Sequence, residues 1–196
     1  MKIAVVIDTW LPEINGVVTT MHKIVEELKG LGHEPHVLSH ADGFRTIPMP
    51  GYSSIRLALF PQRKVKQWLD RVQPDAIHIS TEGPLGAAAR RYCMKRGLHF
   101  TTCYHTKFPE YISARVPIPL SVGYAWIRGF HAPASRLMVS TPSLMQELKD
   151  SRTWCTGARA SIPSSSSPGT RASSGTPGRC SCTWDAWPSR RTSRPS

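Results

Sequence analysis

Leucine disappears from this chain after residue 148, and much else goes with it. The last 46 residues contain no Leu, Val, Phe, Met or Tyr, and no Glu, Gln, Asn, His or Lys. They hold twelve Ser, seven Arg, six Thr, five Pro and four Gly. So little apolar surface cannot offset the roughly 1–2 kcal/mol per residue of backbone ordering, so residues 151–196 read as disordered. No stretch approaches the ~20 apolar residues of a bilayer-spanning helix. The start of the chain runs straight into a strand-like segment, so a secretory signal is not expected. There is no Cys-x-x-Cys pair. Strand alternation puts His33 on the opposite face from His36 and His40, so no metal is expected. The first loop carries one glycine, Gly16, and therefore lacks the fingerprint of a nicotinamide or flavin site.

Acid is scarce, and unevenly so. The formal net charge is +12. Residues 1–150 mix 18 Lys/Arg with 12 Asp/Glu, whereas residues 151–196 have seven Arg, no Lys and one acid, Asp185. A basic chain suggests nucleic acid or a membrane surface. Here half of the excess lies in the aberrant tail, so nucleic acid is not expected. Cys93 and Cys103 fall in helix-like and strand-like segments and read as buried free thiols, whereas Cys155, Cys180 and Cys182 lie in the tail. With no export signal, reduced thiols are expected throughout.

What is present in residues 1–150 is an alternation of strands and helices. "KIAVVID" (2–8) is a continuous apolar run, the mark of a strand buried on both faces of a parallel sheet. A helix follows with Val17, Met21, Ile24, Val25 and Leu28 on one face, stopped by Gly30 and Gly32. "HEPHVLSH" (33–40) is the second strand and "SIRLAL" (54–59) the third. Helix 61–73 places Val65, Trp68, Leu69 and Val72 on one face. "DAIHIS" (75–80), a helix over 84–96, and "HFTTCYH" (99–105) continue the pattern. An irregular helical region over 107–133, "RLMVS" (136–140) and "PSLMQELK" (142–149) close it. This grammar predicts an α/β fold, a Rossmann-like doubly wound parallel sheet with a disordered tail.

Ligands of such sheets sit at the carboxyl ends of the strands. In "DTWLPEINGVV" (8–18), Gly16 lets backbone approach a ligand, and the helix behind it offers unpaired N–H groups to an anion; an ordinary loop glycine is the alternative. In "STEGPLG" (80–86), Glu82 and Gly83 crest a loop. The Glu82 carboxylate could accept from sugar hydroxyls or act as a base, or simply stabilise the helix dipole that follows. In "CYHTKFPEY" (103–111), His105 could bond a ligand or titrate near neutrality, with a satisfied core histidine as the alternative. Thr141 or Ser143 is expected to cap the last helix. The basic run "RKVK" (63–66) could touch anionic lipid or form a solvated face.

Taken in order, "DTWLPEINGVVTT", "PDAIHISTEGPLGAAARRYC" with "RGLHFTTCYHTKFPEY", and "STPSLMQEL" resemble the amino-terminal half of a retaining glycosyltransferase of the GT-B fold, in family four. The subgroup includes bacterial α-mannosyltransferases and glycolipid-forming enzymes. The resemblance covers nearly all of residues 1–150. It implies a catalytic role for His105 on the transferred sugar. It places the Gly16–Val17 backbone at the donor phosphates or sugar, and Asn15, Glu82, Gly83 and Thr106 on the acceptor side. It further implies a nucleotide-sugar co-substrate such as GDP-mannose or a UDP-sugar, no cofactor and no metal. The acceptor would be a lipid or glycan. A cytoplasmic location is expected, with peripheral contact at the inner face of the membrane. A non-catalytic Rossmann-like module docking on a membrane or partner protein is the alternative.

Family members continue after residue 150 with a segment like "GVDTELF", then a strand and a "GR…EK" loop that opens the donor domain. The tail as written has neither, yet its codons shifted by one base permit both. Trp184 followed by Asp185 must give glycine, and Trp187 followed by Pro188 must give alanine. "RCSCTWDAWPSRRT" then permits PVFMYMGRVAVEKN, and "GARASIPSSS" permits GVDTELF. The domain reading is therefore an acceptor-side domain over 1–150 and an out-of-frame tail over 151–196 that replaces the donor-binding domain. The chain is expected to be truncated and inactive alone.

Overall fold

The computed structural model describes residues 1–49, 52–105, 119–139, 144 and 159–161. The elements in order are β1 (Lys2–Val6), α1 (Gly16–Gly30), β2 (Glu34–Leu38), β3 (Thr46–Met49), β4 (Tyr52–Ala58) and α2 (Gln62–Val72). Then come β5 (Ala76–Ile79), α3 (Pro84–Arg96), β6 (Thr101–Tyr104), α4 (Leu120–His131), β7 (Arg136–Val139) and β8 (Arg159–Ser161). The main sheet is parallel and ordered β2-β1-β5-β6-β7-β8. From β1 the chain first steps outward to β2, then returns past β1 to β5 and advances in one direction. The β1/β5 boundary is therefore the topological switch point of a doubly wound sheet, where crevices open at the strands' carboxyl ends.

The unbroken apolar run of β1 has its reason here. Val5 and Ile7 pack with Met21 and Val25 of α1 on one face. Ala4 and Val6 join Val65, Leu69, Ile77, Ile79, Leu85, Ala89 and Cys93 on the other. A side chain fully buried in this way contributes about 1.5–3 kcal/mol for a Val, Leu or Ile. Helix α1 starts at an Asn15 cap, whose Oδ1 accepts from the Val18 N–H at 3.0 Å. It ends with the Leu31 N–H on the Glu27 carbonyl, before Gly32 at φ 77. Helix α3 ends at Gly97 in the left-handed region, φ 63, a conformation with little cost for glycine.

Two features differ from the sequence reading. The strand expected at 54–59 does not join the main sheet: β4 pairs antiparallel with β3 in a separate two-stranded sheet. The partner strand holds Pro48, so residues 46–49 read as loop; a proline is tolerated there because a two-stranded ribbon consists only of edges. The second feature is β8, three residues beyond position 150 that pair in parallel with β7 as Arg136↔Arg159 to Met138↔Ser161. The expected helix over 107–133 is observed from Leu120, with 106–118 outside the described residues. The helix expected over 142–149 lies outside them too, apart from Leu144, which is buried.

The "RKVK" run divides on inspection. Lys64 Nζ donates to the carbonyls of Asp42 (2.6 Å) and Gly43 (2.9 Å) and sits 4.7 Å from the Phe44 ring centroid, tying down the loop after β2. Lys66 pairs with Asp70 at 2.7 Å. Among the described residues no helix is long and apolar enough to cross a membrane.

Candidate active site at the sheet's switch point

Strands β1, β5 and β6 end side by side, and their carboxyl ends deliver Asp8, Thr81–Gly83 and His105 to one edge of the sheet. Asp8 organises the junction. Its Oδ1 accepts from the Leu85 N–H at 2.8 Å, and its Oδ2 accepts from Thr81 Oγ1 at 2.7 Å and the Gly86 N–H at 3.3 Å. The Asp8 N–H in turn donates to Thr81 Oγ1 at 2.8 Å. A carboxylate from β1 thus occupies the positive end of α3, satisfying donors that the helix itself cannot. Burial pushes the Asp8 carboxyl above its ordinary range despite those donors, and the charge of Glu82 adds to the rise.

This contact explains two glycines. A Cβ on Gly83 would fall on the Asp8 carboxylate, and one on Gly86 would fall on the Thr81 carbonyl. Gly83 has φ −74, so it is the lack of a side chain that matters here and no left-handed backbone is involved.

Helix α1 presents the opposite arrangement. Gly16 is exposed at its first turn, and a Cβ there would meet nothing within 4 Å. The N–H groups of Gly16 and Val17 stand in the first turn, where no intrahelical acceptor exists, so they are available to an anion. The loop leading in is braced. Thr9 Oγ1 donates to Glu13 Oε2 (2.6 Å), Asn15 Nδ2 donates to Thr9 Oγ1 (3.0 Å), and His40 Nδ1 lies 2.9 Å from the Asp8 carbonyl. His40 Nε2 lies 3.4 Å from Glu13. Asn15 therefore uses both ends of its amide on capping and on the loop.

Glu82 lies across from these groups. Its Oε1 is 3.1 Å from Nε2 of His131, whose Nδ1 is 2.9 Å from Thr102 Oγ1. His105 stands at the end of β6 with its Nδ1 3.6 Å from Cys103 Sγ. Burial holds the His105 imidazole below its usual value, partly countered by the Glu82 charge, so the ring is neutral at pH 7. Beneath them His78 is driven down to about 4 by burial, with His105 adding to the drop. Its Nδ1 meets Thr101 Oγ1 at 2.8 Å, while among the described residues its Nε2 has no hydrogen-bond partner. Cys93 and Cys103 are free and buried, as the sequence implied. Burial raises the Cys93 thiol to about 11 and pushes Cys103 up as well, so neither is a nucleophile near neutrality.

The structure thus brings Asn15, Gly16, Val17, Glu82, Gly83 and His105 to the same end of the sheet, whereas Thr106, Thr141 and Ser143 lie outside the described residues. The carboxylate that bonds the first turn of α3 is that of Asp8. Asp8, Thr81, Thr102 and His131 were not singled out from the sequence. For Asp8 a signal existed, an acid ending an otherwise apolar strand. For His131 none did, because its partner is 49 positions away.

Residues 14–153 match the model of glycosyltransferase family 4. The chain is 24% identical over 165 residues to a GDP-mannose-dependent alpha-mannosyltransferase of Mycobacterium tuberculosis, covering 76% of this chain and 44% of that protein. It is 30% identical over 125 residues to the alpha-monoglucosyldiacylglycerol synthase of Acholeplasma laidlawii, covering 57% and 31%. It is 28% identical over 134 residues to a sulfoquinovosyl transferase of Arabidopsis thaliana, covering 67% and 24%. The chain therefore spans less than half the length of these curated relatives. With a parallel sheet whose switch point gathers an open helix N-terminus, a carboxylate and a neutral imidazole, and with the family match running through all three, the chain belongs to glycosyltransferase family 4.

Proposed function

We propose that residues 1–150 form the acceptor-side domain of a retaining glycosyltransferase, which moves a hexose, mannose or glucose, from a nucleotide-sugar to a lipid or glycan acceptor. The observation that carries this reading is the pairing at the switch point of an unfilled α1 N-terminus with Glu82 and His105. In this reading the Gly16 and Val17 N–H groups receive charge developing on the departing diphosphate, and preorganised donors of this kind lower such barriers. The neutral His105 imidazole hydrogen-bonds the transferred sugar. Glu82, Gly83, Asn15 and Thr106 line the acceptor side, with Glu82 accepting from an acceptor hydroxyl. No metal or cofactor takes part. The names of the relatives, a GDP-mannose-dependent mannosyltransferase and a glucosyldiacylglycerol synthase, support the donor and acceptor classes.

Residues 151–196 are proposed to be read one base out of frame, in place of a segment that opens a donor-binding domain. Resequencing the source DNA across the codons for Asp150 and Ser151 tests this. A missing base restores the donor-domain frame, and the corrected product should transfer label from GDP-mannose or a UDP-sugar to extracted lipid or glycan. Turnover by the 196-residue chain itself overturns the truncation, and an inactive corrected product overturns the assigned activity. Cytoplasmic location with peripheral contact at the membrane's inner face belongs to the same proposal. Arg63 and Lys66 on the outer side of α2 would supply that contact, and substituting them should lower sedimentation with anionic liposomes.

A further inference from the structure

Glu82 does not stand alone in its loop; it is tied to the middle of the domain through His131. The His131 ring is 1% exposed, and edge-on contacts with Tyr104 (centroids 6.0 Å apart) and Phe130 (5.2 Å) fix its plane. Thr102 Oγ1, on β6, meets its Nδ1 at 2.9 Å, which sets its rotation. The end of α4 that carries it is clamped as well. Arg90 of α3 donates from Nε to the Phe130 carbonyl (2.8 Å) and from Nη2 to the Gly129 carbonyl (2.7 Å), capping the last turn. Nε2 then faces Glu82 Oε1 at 3.1 Å, and because an ionised carboxylate only accepts, Nε2 must carry the proton. Among the described residues the second oxygen, Oε2, has no hydrogen-bond donor. The Glu82 side chain is 13% exposed, so it is not sealed from solvent.

We propose that His131 is a positioning residue. Its Nε2–H holds Glu82 Oε1 and leaves Oε2 to accept from a hydroxyl of a vicinal-diol acceptor, the chemistry shared by a glycerol headgroup and a sugar ring. The assignment rests on the acceptor-side reading of Glu82. A carboxylate on an unsupported loop samples several rotamers. One anchored to a buried ring that is itself held by two other elements keeps one orientation, and ligand groups then bind without ordering it first.

The test uses the full chain with isotope-labelled histidine and glutamate. The His131 ring should show a slowly exchanging Nε2 proton, and Glu82 a single sharp carboxyl signal. His131→Phe keeps an aromatic ring against Tyr104 and Phe130 but removes the donor. The Glu82 signal should broaden, and affinity for glycerol or methyl α-mannopyranoside should fall about tenfold, the size expected for one hydrogen bond to a charged group. His131→Gln, which restores an N–H donor, should recover affinity to within about threefold. The stronger of the two probes identifies the acceptor source. An unchanged Glu82 signal and unchanged affinities in His131→Phe overturn the proposal. If neither probe binds the wild type while the Glu82 signal still broadens in His131→Phe, the anchoring bond stands and the acceptor reading falls. Should His131→Phe not fold, Thr102→Val carries the test, and a Glu82 signal left sharp there overturns it.

Discussion

Two helices begin at the switch point, and their first turns have opposite fates. Helix α3 receives an internal anion, the buried Asp8 carboxylate from β1, and Gly83 and Gly86 are bare so that it fits. Helix α1 keeps its first turn open, capped from the side by Asn15, with empty space above Gly16. The same backbone physics, unpaired N–H groups and a positive end, serves stability at one helix and leaves the other available to a ligand. An anion-binding site in this fold is therefore defined as much by which helix ends the protein fills as by which it exposes.

Breaking the filled end should have the largest effect. Asp8→Ala strands the Leu85 and Gly86 N–H groups and the Thr81 hydroxyl, and should cost about 3 kcal/mol or more in denaturant unfolding. A loss below about 1 kcal/mol would mean that the α3 donors find other partners.

Nearly as large is the acid response of His78, which lies under the same junction. Its imidazole is neutral in the fold down to about pH 4, whereas the unfolded chain takes up the proton near 6.5. Between those values the unfolded state binds more protons, so stability is lost as the pH falls. The wild type should lose about 3 kcal/mol relative to His78→Gln between pH 7 and pH 4. Comparison with the variant removes the opposing trend of Asp8, whose raised value weakens the fold as pH rises. Parallel pH profiles for the two proteins would place the slope elsewhere.

At the open end the effects shrink. Asn15→Ala removes the cap on Val18 and should cost about 1 kcal/mol in thermal or denaturant unfolding. Gly16→Ala should shift stability by no more than a few tenths of a kcal/mol, because the new methyl meets nothing. It should nonetheless weaken binding of inorganic pyrophosphate, followed at the Gly16 and Val17 amide signals. Shifts at Leu85 and Gly86 instead would reverse the comparison between the two helices.

Much of the fold is carried by local sequence. The run "KIAVVID" requires burial on both faces, and β1 has it; the spacing of Met21 and Val25 sets the buried face of α1; Gly97 ends α3 where a left-handed residue is needed. The chief departure came where local signals conflict, at Thr46–Met49, whose proline hid a strand. The site was legible only as loops at the ends of strands. Gly16, Glu82 and His105 each had an ordinary structural alternative, and the family pattern, rather than any one residue, favoured the functional reading.

By itself, then, the sequence determined the alternation of strands and helices, their buried faces, the loops that carry polar residues, and the break in composition after residue 150. Periodicity and turn chemistry act over a few residues, so they can be read in one dimension. The tertiary structure decided which loops meet: that Asp8 reaches Leu85 across 77 positions and His131 reaches Glu82 across 49. Those contacts depend on strand order and on the side of the sheet each helix covers. No local spacing records them, because each partner alone is only an acid after a strand or a histidine at a helix end.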